Sequence, residues 1–216
     1  MDLSQEMTIT AKNLSKKYNR SFIFQGLNHE FQKGSIIAVK GPNGSGKSTL
    51  LRVLSSQLEP DSGELVFDLS DNDHSKVYDH IGYVAPYIDI PDEFTFKELL
   101  EFHSKFKHPF KAIDEIVKLC FLEKFENTPI KEFSSGMKQR AKLSLNLFFR
   151  HDIYLFDEPC SHLDANGFKW FNDHLPNLRE FGTIVIASNN KDEIKHAVQS
   201  IDIQEFKKQP NLMMNK

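Results

Sequence analysis

Cysteines are scarce in this chain, which contains two of them, Cys120 and Cys160, among 216 residues. Their spacing matches neither a metal site nor a disulfide framework, and two unpaired thiols fit a reducing compartment. No apolar run approaches the roughly 18 residues of a membrane span, and residues 1–10 lack the basic start and apolar stretch of a signal peptide. We therefore expect a cytoplasmic protein.

An excess of basic charge is also lacking, since the formal net charge is −3. Because nucleic-acid binding through overall charge needs a generally basic surface, we expect no nucleic-acid partner. The length is sufficient for one large domain with a real hydrophobic core.

One stretch matches a phosphate-binding loop at every specified position. Residues 41–49 fit G-x-x-x-x-G-K-[ST] and lie between an apolar run, which predicts a buried strand, and a helix-forming run. The backbone N–H groups of such a loop and the helix N-terminus converge on phosphate oxygens. We expect Lys47 to lie near the β- and γ-phosphates, as a binding and catalytic residue, and the Ser48 hydroxyl to hold Mg²⁺. The predicted nucleotide-binding residues are Gly41, Pro42, Asn43, Gly44, Ser45, Gly46, Lys47, Ser48 and Thr49.

Two adjacent carboxylates follow an apolar strand predicted at residues 153–156. Asp157 and Glu158 would then lie at the carboxyl end of a buried strand, where open α/β sheets bind ligands. Asp157 can hold Mg²⁺ directly or through water, and Glu158 can polarise a water molecule aimed at the γ-phosphate. Alone, two adjacent acids after an apolar strand are a weak motif, and the alternative is two solvated charges at a strand end. With a phosphate loop in the same chain, it predicts a hydrolytic site.

The order of the predicted elements indicates an α/β fold. Apolar runs at residues 8–11 and 22–31 favour an N-terminal antiparallel β portion. After the phosphate loop, strands and helices alternate, which predicts a mainly parallel sheet flanked by helices. The last part of this alternation includes a strand at residues 183–187 and a helix from Lys191.

A small helical lobe is predicted within this fold. Residues 95–98 have the form of a capping box that begins a helix, and the helical pattern repeats at residues 112–119. We therefore divide the single domain, residues 1–216, into a core (1–86 and 135–216) and an inserted lobe (about 87–134).

A second motif resembles a family signature. Residues 133–140 read Phe-Ser-Ser-Gly-Met-Lys-Gln-Arg, similar to the Leu-Ser-Gly-Gly-Gln signature of ATP-binding-cassette (ABC) transporters, and they precede the carboxylate strand as in that family. Residues 161–164 resemble the loop that follows the catalytic glutamate there. Over nearly its whole length, the chain resembles the nucleotide-binding subunit of an ABC transporter of the haem-exporter or multidrug-exporter branch, a P-loop NTPase fold.

This resemblance implies ATP and Mg²⁺ as cofactors. It places Tyr18 where the family stacks an aromatic ring on adenine, although Tyr18 is equally well an ordinary half-buried aromatic residue. It also places Asp164 in the nucleotide-contacting loop.

The resemblance further implies that two such chains act together, as a homodimer or a heterodimer. Ser134, Ser135 and Gly136 lie at a helix N-terminus, which favours an anion, and in the family this site closes over the γ-phosphate bound to the opposing subunit. Two ATP molecules are thus held between the subunits, and hydrolysis releases the pair. Ser135 and Met137 depart from the signature in a way that haem-exporter-like ATPases tolerate.

Two departures from the family concern hydrolysis. Pro86 lies where the family places a glutamine that contacts Mg²⁺ and the attacking water, and proline has no side-chain amide. Asn189 lies where the family has its switch histidine; asparagine can donate a hydrogen bond to phosphate but cannot become cationic. We expect Glu158 to remain the base and turnover to be slow, or to depend on a partner.

The expected partners are transmembrane permease subunits, which would hold the protein on the cytoplasmic face of the membrane. Residues 87–94 correspond to the family's docking region for the permease, or else they form the lobe's own core. A cytosolic ABC ATPase without a transport role is the alternative. A P-loop kinase is a third possibility, but it would not need residues 133–140.

Overall fold

The computed structural model describes residues 8–19, 21–68 and 77–207. Within these ranges, eight strands form two sheets. In chain order, the strands are β1 (Ile9–Tyr18), β2 (Ser21–Phe31), β3 (Ile36–Lys40), β4 (Ser62–Phe67), β5 (Ile81–Val84), β6 (Ile153–Asp157), β7 (Thr183–Ala187) and β8 (Gln199–Asp202). The described α-helices are α1 (Lys47–Leu54), α2 (Val77–His80), α3 (Phe96–His103), α4 (Ile113–Leu119), α5 (Ser135–Leu147) and α6 (Ala165–His174).

The two sheets differ in strand direction. The larger is parallel, with the strand order β5-β6-β7-β3-β8, and the smaller is antiparallel, with the order β2-β1-β4. These arrangements confirm the predicted α/β class, including the N-terminal antiparallel portion. Every residue of β6 and β7 is buried, as expected for central strands of a parallel sheet that is covered on both faces.

The hydrophobic core lies on both faces of the parallel sheet. Side chains alternate along β6, so Ile153 and Leu155 pack on the face that contacts α1 and the antiparallel sheet. Tyr154 and Phe156 pack on the opposite face, with α5 and α6. The carboxyl end of β6 is therefore fixed in depth and orientation by apolar contacts on two sides.

The segment between β5 and α5 is helical. The predicted capping box is present at α3, where the Thr95 hydroxyl accepts a hydrogen bond from the backbone N–H of Glu98 and the Glu98 carboxylate accepts one from the N–H of Thr95. Helix α4 and two 3-10 turns, Glu123–Phe125 and Ile130–Glu132, complete this segment. The division into a core and a lobe stays a prediction.

The helix predicted from Lys191 is wrong. Residues 191–198 form turns and bends, and the Asn190 side chain accepts a hydrogen bond from the backbone N–H of Asp192, which favours a turn over a helix. Glu193 is buried here and its carboxylate binds the backbone of another loop, so a tertiary contact determines the local conformation.

Candidate functional site

The predicted phosphate loop connects β3 to α1, as the motif requires. Gly46 immediately precedes α1 with φ 113°, a left-handed conformation that L side chains rarely adopt. A Cβ atom on Gly46 would lie 2.2 Å from Cγ2 of Ile23 on β2. The antiparallel sheet therefore packs directly against the loop. Both the φ angle and the limited space at position 46 require glycine.

Lys47 is the first residue of α1 and is 4% exposed. Its Nζ atom donates hydrogen bonds to the backbone carbonyl oxygens of Gly41 (2.9 Å) and Pro42 (3.4 Å). The ammonium group is thus held against the first two residues of the phosphate loop. Ser48 and Thr49 continue α1 from this point. This arrangement concentrates one positive charge and the N-terminus of a helix at the same place, which favours a phosphate.

Asp157 ends β6 and is 2% exposed, and its carboxylate lies close to Ser48 and Lys47 at the start of α1. Burial raises the pKa of Asp157 and the charge of Glu158 adds to the rise, while the Ser48 hydroxyl and the charge of Lys47 oppose it. Among the described residues, no group donates a hydrogen bond to Asp157 Oδ2. A buried carboxylate oxygen without a partner, close to a hydroxyl, fits the hard oxygen ligands that Mg²⁺ prefers.

Glu158 follows directly, with a half-buried side chain and φ 46°, an unusual value for a residue other than glycine. Its backbone N–H donates to the carbonyl oxygen of Ala187, the last residue of β7 (2.9 Å). The chain therefore leaves the regular strand conformation at Glu158, at the carboxyl end of the sheet. Such strained positions cluster at functional sites.

Two side chains that the sequence interpretation missed hold the loop after Glu158. Gln139, buried on α5, donates from Nε2 to the carbonyl oxygen of Pro159 (2.6 Å). Oε1 of Glu193, also buried, accepts from the backbone N–H of Cys160 (3.1 Å). We call these two hydrogen bonds the loop clamp. The sequence signal available for Gln139 was an uncharged polar residue on the apolar face of a predicted helix.

The signature residues lie at the N-terminus of α5. The Ser134 hydroxyl accepts a hydrogen bond from the backbone N–H of Met137 (3.3 Å), and Ser134 and Ser135 are exposed. A Cβ atom on Gly136 would lie 3.3 Å from the carbonyl oxygen of His162, so this end of α5 faces the loop that follows Glu158. Within the described residues, no hydrogen bond or ion pair joins these three signature residues to the phosphate loop.

The remaining predicted site residues are distributed around this centre. The Asn189 side chain donates to Oδ1 of Asn43 in the phosphate loop (3.2 Å), which brings those two together. Asp164 caps α6 by accepting from the N–H of Gly167 (2.7 Å). Tyr18 ends β1 with a partly exposed ring, and Pro86 is exposed just beyond β5. The functional roles of all the predicted site residues stay predictions.

A comparison with protein families identifies the chain. The model of the family described as "ABC transporter" matches residues 24–161, more than half of the sequence. The chain belongs to the ABC transporter family. The ATP-binding domains of this family are ATPases. The phosphate loop, Asp157 and Glu158 all lie within the matched segment. The recognition made from residues 133–140 is thereby confirmed.

Curated relatives agree with this assignment. The chain is 32% identical over 209 residues to the probable sulfate/thiosulfate import ATP-binding protein CysA of Chlorella vulgaris, covering 92% of this chain and 88% of that protein. It is 30% identical to the uncharacterized ABC transporter ATP-binding protein YcbN of Bacillus subtilis, covering 90% of this chain and 66% of the relative's length.

Among solved structures, a putative ABC transporter ATP-binding protein from Pyrococcus furiosus superposes with a TM-score of 0.79 at 23% identity, covering 93% of this chain and 100% of that one. This likeness supports the cassette fold. Of the helices that the structure describes, none combines the length and the apolarity that crossing a membrane requires.

Proposed function

We propose that this ABC ATPase is the ATP-hydrolysing subunit of a membrane transporter, and that it dimerises around two ATP molecules to drive permease subunits. The observation that carries the proposal is the convergence of Lys47, Ser48 and Asp157 at the N-terminus of α1. A buried ammonium group, a helix N-terminus and a buried carboxylate form a site for a magnesium-bound triphosphate.

In the proposed site, the loop amides and Lys47 bind the phosphates, and Ser48 and Asp157 would provide oxygen ligands for Mg²⁺. The bound ion would neutralise the charge that develops on the phosphates during transfer. Glu158, the residue that follows Asp157 at the carboxyl end of β6, accepts a proton from the attacking water. Tyr18 stacks on the adenine ring.

A second subunit completes each site in this proposal. Ser134 and Ser135 are exposed at the N-terminus of a helix of 13 residues and have no described contact with their own phosphate loop. An anion site in this position is suited to the γ-phosphate of an ATP bound to another chain. Asp164 lies near that surface, where it also forms an ion pair with Arg140 (3.6 Å).

Membrane attachment is the other part of the proposal. The permease would contact residues 87–94 in the helical segment between β5 and α5, and the protein would lie on the cytoplasmic face of the membrane. A groove lined by residues of this segment and by the start of α5 supports the assignment, because it joins the docking region to the signature residues. Its lining includes Ile90, Asp92, Ser135 and Lys138.

Slow turnover follows from the residues at two positions. Pro86 offers no side-chain hydrogen bond, and Asn189 is neutral and already bonded to Asn43. The test is the steady-state rate of MgATP hydrolysis by the purified protein, with and without its membrane partner. We expect a rate below about 1 s⁻¹ for the isolated protein, at the low end for enzymes. Turnover well above this value without a partner would contradict the slow-hydrolysis proposal.

The Asn189→His substitution is expected to raise the hydrolysis rate about tenfold, since a cationic hydrogen bond to phosphate is stronger than a neutral one. The measurement is kcat between pH 6 and 8, where the gain should be largest at the acidic end because histidine is protonated there. Lys191→His is the matched control, two residues further along the same exposed turn. An unchanged kcat in Asn189→His would show that the missing cation does not limit turnover.

A further inference from the structure

We propose that the hydroxyl groups of Tyr83 and Tyr87 take the place of the amide that Pro86 lacks, with Tyr87 contacting the attacking water and Tyr83 positioning Tyr87. This inference rests on the proposed function, because it assumes MgATP in the phosphate loop. It assigns a catalytic residue that the sequence interpretation did not consider.

The two tyrosines form a bonded pair. Their hydroxyl oxygens are joined by a hydrogen bond, and their rings meet edge to face, with centroids 6.3 Å apart and planes at 79°. Tyr83 is partly buried within β5, whereas Tyr87 is 52% exposed in the turn that follows. The pair therefore has one member anchored in the sheet and one member available to a ligand.

The strand register places this pair on the catalytic side of the sheet. Tyr83 lies opposite Leu155 in the parallel pairing of β5 with β6, and Asp157 follows Leu155 by two residues. Because side chains alternate, Leu155 and Asp157 share the face on which α1 packs, and Tyr83 packs against the same apolar cluster. The aromatic side chain thus extends along the face that carries Asp157 and the phosphate loop.

Electrostatics supports the same location. Burial raises the pKa of Tyr83, and the charge of Asp157 raises it further, against the opposing charge of Arg52 on α1. Burial and the charge of Asp157 likewise raise the pKa of Tyr87, and Tyr18 contributes in the same direction. The charges that influence the Tyr87 hydroxyl thus include Asp157 at the end of β6 and Arg52 on α1, two elements that border the ATP site.

The chemistry of a phenol suits the proposed role. A hydroxyl group offers one donor and two acceptor positions, so it can accept from a water molecule as an amide oxygen does. When Tyr83 donates to Tyr87, the Tyr87 proton remains available for a phosphate oxygen, and the chain of hydrogen bonds strengthens each member. Both phenols stay protonated at neutral pH, since both pKa values are raised.

The test combines a kinetic and a binding measurement on Tyr87→Phe. We expect kcat for MgATP to fall about three- to tenfold, the value of one neutral hydrogen bond, with KM changed less than about twofold. The affinity for MgADP with vanadate, which mimics the transferring phosphoryl group and needs no turnover, should fall by a similar factor. Tyr83→Phe should show a smaller loss in both measurements. Tyr78→Phe is the control, since this exposed hydroxyl bonds to the carbonyl oxygen of Ser56.

Rescue separates a direct role from a structural one. Adding Pro86→Gln to Tyr87→Phe should restore kcat and vanadate affinity, because an amide then stands in the position that the pair serves. Full vanadate affinity in Tyr87→Phe would overturn the inference, as would a loss that Pro86→Gln does not relieve. If the wild-type protein bound MgADP and vanadate but failed to hydrolyse ATP, the proposed function would be contradicted. The vanadate affinities of the wild type and Tyr87→Phe would then still test the role of the two tyrosines.

Discussion

The Glu158→Gln substitution is expected to lower the rate of ATP hydrolysis at least about 100-fold, while the affinity for ATP changes little. Glutamine keeps the size of the side chain and its hydrogen-bonding reach but cannot accept a proton from water at neutral pH. ATP should consequently persist at the site and hold two chains together. Steady-state phosphate release measures the first effect, and light scattering of the protein with MgATP measures the dimer.

Glu205→Gln provides the matched control for this experiment, since Glu205 is exposed near the carboxyl end of the described chain. It should leave both measurements unchanged. If Glu158→Gln hydrolysed ATP at a rate within about tenfold of the wild type, Glu158 would not be the base. If it remained monomeric with bound ATP, the proposed exchange of signature residues between two chains would be wrong.

Removing the loop ammonium should have the second largest effect. Lys47→Ala is expected to weaken ATP binding about 100-fold, since charge-assisted hydrogen bonds to phosphate are among the strongest in proteins. It also removes the two hydrogen bonds that Nζ donates to the carbonyl oxygens of Gly41 and Pro42, so the loop loses internal support. Equilibrium titration with a fluorescent ATP analogue measures the affinity.

Thermal unfolding without nucleotide distinguishes a lost phosphate contact from a disordered loop. Alanine is a good helix former at the start of α1, so the melting temperature should fall by no more than a few degrees. Lys40→Ala, at the exposed end of β3, is the control and should bind ATP normally. Undiminished binding by Lys47→Ala would exclude Lys47 from the phosphate site.

Local sequence patterns were sufficient wherever chemistry and structure lie within a few adjacent residues. The phosphate loop is one such case, because the spacing of Gly41, Gly46 and Lys47 specifies both the turn and the helix start. The apolar run before Asp157 is another, since a continuous buried strand in a parallel sheet has a distinctive composition. The capping box at Thr95 likewise joins residues three apart.

Interactions between distant residues could not be predicted in this way. Glu193 resembled part of a helix, but its carboxylate binds the backbone of Cys160, 33 residues earlier in the chain. Gln139 and Pro159 are likewise far apart in sequence. The Tyr83–Tyr87 pair is local in sequence, yet its significance depends on the register of β5 against β6, which composition does not reveal.

The loop clamp has a consequence for how two nucleotides would be processed. Gln139 joins α5, whose exposed N-terminus would contact the partner's ATP, to the peptide that directly follows Glu158. Because this buried hydrogen bond is short, at 2.6 Å, a displacement of α5 would also move the backbone at Pro159. In the proposed dimer, the occupancy of one nucleotide site would therefore bias the geometry of the base at the other. Such a pair would hydrolyse its two ATP molecules cooperatively, so that the rate at one site depends on the occupancy of the other.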